Sequence, residues 1–107
     1  MHSRVTSVEI DTMRMSVEGA IRRYEEEIVP KLREQDGFEG MIALVTSEGK
    51  GLVITLWETE EAATSEPAQG FYSEAISKFM TSFKDQPGRE HYEVALAEIP
   101  SLSIRRG

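Results

Sequence analysis

The spacing of apolar residues changes several times along the chain, and each change marks an element. Arg4 to Ile10 alternates loosely, with Val5, Val8 and Ile10 among polar neighbours, and reads as a first strand near a sheet edge. Ser16 is placed to cap a helix that starts at Val17. Its stripe runs through Ala20, Ile21, Tyr24, Ile28 and Leu32, and Pro30 inside that stripe is expected to kink the helix or loosen its last turns. Gly37 supplies the helix stop. Phe38 to Ser47 and Gly51 to Trp57 are strands joined by the turn Glu48-Gly49-Lys50, so they pair as an antiparallel hairpin. Thr59 to Ala63 starts a helical segment with acids in its first turn, and Pro67 and Gly70 interrupt it. A second amphipathic helix is expected over about Phe71 to Phe83, with Tyr72, Ile76, Phe79 and Met80 on its stripe. His91 to Ile99 reads as the last strand, ended by Pro100 and followed by a tail.

The order strand, helix, strand, strand, helix, strand predicts an α+β domain of ferredoxin-like βαββαβ topology. Two right-handed crossovers put both helices on one face of a four-stranded antiparallel sheet. The third strand is apolar on both faces, with Leu52, Ile54 and Leu56 on one and Val53 and Trp57 on the other. One helical layer covers only one of them. The bare face predicts a homodimer in which two sheets pack together.

Composition narrows the function classes. The 107 residues suit a single domain over 1–107. A net charge of −7 disfavours nucleic acid and anionic membranes as partners, because both require a basic surface. There is no cysteine, which removes disulfides, thiolate metal sites and thiol nucleophiles and fits a cytoplasmic protein. No apolar run approaches the roughly 20 residues of a membrane span, and no signal peptide is visible.

Two junctions carry a family resemblance. Pro30-Lys31-Leu32-Arg33 followed by Gln35-Asp36-Gly37-Phe38-Glu39-Gly40 resembles the helix-to-strand junction of the dimeric α+β barrel superfamily. Leu56-Trp57-Glu58-Thr59-Glu60-Glu61-Ala62 resembles its strand-to-helix junction, and Tyr92-Glu93-Val94 its last strand. The nearest group is the antibiotic biosynthesis monooxygenase (ABM)-like proteins. The resemblance implies a dimeric barrel and a small-molecule pocket. Haem-degrading relatives resemble one another in an Asn, Trp and His set, with the His on the second helix. This chain has Trp57 but no asparagine, and its two histidines, His2 and His91, fall outside the predicted helices. Haem is therefore not expected.

The candidate site residues are Trp57 as an aromatic wall, Tyr72 and Tyr24 as ligand-orienting phenols, and His91 as a general base beside Glu93. Each also has a plain structural reading: a core ring, a satisfied phenol, a charged strand end. No set of three or four converging metal ligands is evident, and no G-x-G-x-x-G loop exists to hold a nucleotide. No haem, flavin or metal cofactor is expected. Two classes stay open: a cofactor-independent monooxygenase acting on a small aromatic or polyketide-like compound, and a non-catalytic ligand-binding or structural homodimer. In the first class the substrate itself supplies electrons to dioxygen, so few catalytic groups are needed.

Overall fold

A computed structural model of the chain describes residues 1–64, 80–82 and 90–100, with the side chains of 80–82, 90 and 91 excepted. The predicted segment Ser65 to Gly70, residues 71–79 of the second helix, and residues 101–107 of the tail lie outside the described residues.

Strands β1 (His2–Ile10), β2 (Phe38–Val45), β3 (Lys50–Trp57), β4 (Met80–Ser82) and β5 (Glu90–Glu93) form one antiparallel sheet in the order β2-β3-β1-β4. The fourth lane is shared. β5 lies beside His2–Val5 of β1, and β4 beside Val8–Ile10. This is the ferredoxin-like strand order.

Three sequence expectations change. β1 is not near an edge, since β3 flanks one side of it and β4 and β5 the other. Its polar residues suggested exposure, yet Arg4 and Thr6 are buried. Met80, read as part of a helical stripe, belongs to a strand opposite Ile10. The last strand stops at Glu93 instead of Ile99. The register pairs Glu93 with His2, and Val94 donates to the Met1 carbonyl at 2.8 Å, so the residues beyond run past the first residue of β1.

The first helix forms where its stripe predicted. Ser16 caps α1 (Val17–Glu27), its hydroxyl oxygen accepting from the Gly19 N–H at 2.9 Å. Pro30 divides the helix at Ile28, and a second short helix, α2 (Val29–Arg33), continues it. Proline has no N–H to return to the preceding turn, so the ladder restarts from the Ile28 carbonyl, which accepts from both Lys31 and Leu32. Arg23 pairs with Glu27 on the exposed side. Val17, Ala20, Tyr24, Ile28 and Leu32 face inward and share one core with Val8, Ile10, Val53, Trp57 and Ala63.

The two family-like junctions meet in space. Gly37 adopts φ 81°, and a Cβ there would sit 2.8 Å from the Cβ of Ala62 in α3 (Glu60–Thr64). The Gly37 carbonyl accepts from the Glu58 N–H at 2.7 Å. A residue without a side chain is thus required, both for the backbone conformation and for the close approach. Phe38, the next residue, packs edge-on against Trp57, with ring centroids 5.5 Å apart. The motifs are clamps that fix where Trp57 stands.

The sheet has two different faces. The inner one, beneath the helices, carries Arg4, Thr6, Val8 and Ile10 of β1 and Val53, Thr55 and Trp57 of β3, all buried. The outer one carries Val5, Ile42, Leu44, Leu52, Ile54 and Leu56. Among these, Leu44 and Leu52 are opposite each other in register and are 49% and 39% exposed.

Candidate functional site

The inner face changes character along its length. At one end, Val8, Ile10 and Val53 make an apolar floor. At the other, the floor is polar and aromatic, with Arg4, Thr55 and Trp57 at 3%, 2% and 0% exposure. Register explains how a polar row arises inside a core. Arg4 pairs with Thr55, while Trp57 pairs with His2 and Phe38. Cross-strand partners share a face, so alternation carries the whole row inward.

Hydrogen bonds hold the row in place. The Trp57 Nε1–H donates to Thr55 Oγ1 at 2.8 Å, two residues back on the same face. The Thr55 hydroxyl is 3.5 Å from the Arg4 carbonyl oxygen, at the long end of the hydrogen-bonding range. The Arg4 guanidinium lies 5.8 Å from the centre of the Trp57 ring, and its Nη1 donates to the Ala63 carbonyl at 3.4 Å. β1, β3 and α3 thus converge on one indole ring.

The predicted site residues fall in different places. Trp57 is at the centre of the row. Tyr24 is buried at 3% on α1 and belongs to the same core. Tyr72 lies outside the described residues. His91 is described only as backbone, in register with Arg4. Glu93 follows it on β5 and is exposed. Arg4 is a residue that the sequence reading missed. The available signal was its position: Arg4, Thr6, Val8 and Ile10 are successive even positions of one strand, and Val8 and Ile10 must point inward. His2, not among the candidate site residues, belongs to β1 and is half-buried opposite Trp57. Among the described residues no three His, Cys, Asp or Glu side chains converge as metal ligands, and no helix is long and apolar enough to cross a membrane.

The strand order defines a ferredoxin-like α+β fold, and solved structures of ABM monooxygenases share it. The chain is similar to SnoaB from Streptomyces nogalater, a cofactor-independent oxygenase. TM-score is 0.60 at 16% identity, over 94% of this chain and 97% of that one. It is equally similar to the monooxygenase ActVA-Orf6 of Streptomyces coelicolor, solved with the ligand nanaomycin D. TM-score is again 0.60 at 16% identity, over 94% of this chain and 92% of that one. A proposed antibiotic biosynthesis monooxygenase from Deinococcus radiodurans gives 0.61 at 15% identity, over 96% and 100%. No family model matches the sequence, and no curated protein matches it. The resemblance first carried by the junction residues therefore holds at the level of fold.

Proposed function

We propose that this chain is an ABM-like homodimer that binds a small aromatic or polyketide-like compound beside Trp57, between helices and sheet, and oxygenates it without a cofactor. The observation that carries the reading is the buried polar and aromatic row Arg4–Thr55–Trp57. Burying a guanidinium and a hydroxyl where apolar side chains would fit costs desolvation free energy, which argues for a use of the row beyond packing. The same fold serves a cofactor-independent oxygenase.

The chemistry needs little from the protein. An electron-rich fused-ring phenol with a methylene between two aryl rings loses a proton and transfers electrons to dioxygen. One oxygen atom becomes the new carbonyl, the other leaves as water, and the methylene carbon is oxidised by four electrons. Trp57 supplies a flat wall for the ring, and Thr55 holds the indole in orientation through its Nε1–H. Tyr24 and Tyr72 orient the ligand's oxygens. His91, in register with Arg4, is the candidate base.

The homodimer belongs to the same proposal. Six apolar residues on the outer face suit a second copy laid sheet to sheet, burying at least about 1,200 Å² in total.

An oxygen electrode tests the reaction. With such a phenol, uptake above the uncatalysed rate is expected, one dioxygen per quinone formed, and reduced in Trp57→Phe and His91→Gln. Saturable binding of the phenol with no added oxygen uptake would overturn catalysis in favour of a non-catalytic binder.

A further inference from the structure

We infer that the segment Val94 to Ile99 is an exchanged arm, which leaves its own protomer and adds as a strand to the open edge of β2 in a second copy. The inference deepens the homodimer reading and rests on it. It does not rest on the ligand or on the oxygenation.

Two loose ends of the protomer carry it. The first is the arm itself. β5 stops at Glu93, and the Val94 N–H makes one more bond to the sheet, to the Met1 carbonyl. Ala95 to Ile99 then belong to no helix or strand and are exposed, with Leu96 at 87%. Glu98 is the one charged residue among Val94-Ala95-Leu96-Ala97-Glu98-Ile99. Segments that stay in water are polar, and this one is not. The second loose end is the edge. β2 has β3 along one flank and, among the described residues, no strand along the other. Its eight residues include no proline and no lysine, the residues that commonly keep an edge from pairing. A row of backbone N–H and C=O groups is therefore open to another chain.

Position decides whose edge the arm fills. The arm leaves the lane of β5, on the opposite side of the sheet from β2. Three inter-strand steps separate these lanes, roughly 14 Å. To reach its own β2 the arm would have to cross a face of its own sheet. The edge of a second copy requires no crossing, and six extended residues reach about 20 Å. The outer face also continues into the arm. Tyr92 pairs with Ser3, and Ser3 with Leu56, so Tyr92 stands on the outer face. Strand alternation gives Val94 and Leu96 the same side. A two-fold axis makes the exchange reciprocal, and backbone hydrogen bonds along β2 then add to the apolar contact.

The chain has no cysteine, so introduced thiols are the only ones. Ala43 on β2 and Ala97 on the arm are both exposed. The double variant Ala43→Cys/Ala97→Cys is treated with a bismaleimide of about 8 Å reach, shorter than the roughly 14 Å between lanes of one sheet. Under denaturing conditions it should run at twice the chain mass, in far higher yield than either single variant. Leu96→Asp should weaken dimerisation about 10-fold or more, because the exchange would bury its carboxylate, and leave the circular dichroism of the protomer unchanged. Product only at single-chain mass would place the arm on its own protomer and overturn the exchange. A dimer that gives no linked product, links equally in the single variants, or is unaffected by Leu96→Asp would also overturn it and leave the homodimer standing. A native protein that sediments as a monomer would remove both.

Discussion

Neither face of the sheet is what a solitary domain would choose. The face buried beneath the helices carries an arginine and two threonines beside Val8, Ile10, Val53 and Trp57. The face left open carries valine, isoleucine and leucine. A monomer selected for stability alone would place the apolar set inside, because each large apolar side chain gains roughly 1.5–3 kcal/mol on burial. The difference separates two tasks. The inner face gives up some apolar burial to hold polar groups in a dry layer, where electrostatic interactions are strong. The outer face keeps its apolar residues for a surface that has yet to be covered.

Substitutions on the inner face should have the largest effects. Trp57 has 0% exposure and touches Phe38, Thr55 and Arg4. Trp57→Ala would leave a cavity beneath α3 and lose a large apolar burial. Destabilisation by roughly 3–5 kcal/mol is expected in chemical denaturation. A denaturation midpoint equal to that of the native protein would show that the ring is not part of a packed layer.

Thr55→Val comes next. It keeps the shape and removes Oγ1, so the Trp57 Nε1–H loses its acceptor in a buried setting. A loss of about 1–3 kcal/mol is expected, with Thr55→Ser recovering most of it because the acceptor returns. If valine and serine were equally stable, the hydrogen bond would count for nothing and the row would be a packing feature only.

How much of this was legible depended on whether the deciding interaction was local. The β2–β3 hairpin was legible because its turn requires a glycine. Gly49 has φ 95°, and a Cβ there would meet the Ile10 carbonyl at 2.6 Å. The start of α1 was legible because Ser16 caps it within one turn. The break at Pro30 follows from the ring itself. The interior position of β1 was not legible. Polar residues at Arg4 and Thr6 argue for exposure on propensity, and only the ladders to β3, β4 and β5 place them inside. The strand at Met80–Ser82 was missed for a related reason, since a short apolar run fits either period until its partner is known. In the site, Trp57 announced itself as a lone large ring at the end of a strand. Arg4 did not, because burying a guanidinium goes against every compositional expectation.

The outer face should give the smallest effect on the protomer and a clear one on its assembly. Leu52 stands on β3 opposite Leu44 and is 39% exposed, so lysine can replace it with its ammonium in water. The protomer's own stability should change by no more than about 0.5 kcal/mol. In a sheet-to-sheet homodimer the substitution appears twice about the two-fold axis, placing two ammonium groups in one apolar layer. Leu52→Lys should therefore sediment as a monomer at micromolar concentration where the native protein sediments as a dimer. The native protein should also unfold at a midpoint that rises with its concentration, and the variant at one that does not, because association adds stability by mass action. The comparison between the faces fails if Leu52→Lys still sediments as a dimer. It fails equally if the native protein is monomeric, because the outer face would then be an apolar surface with nothing to cover it.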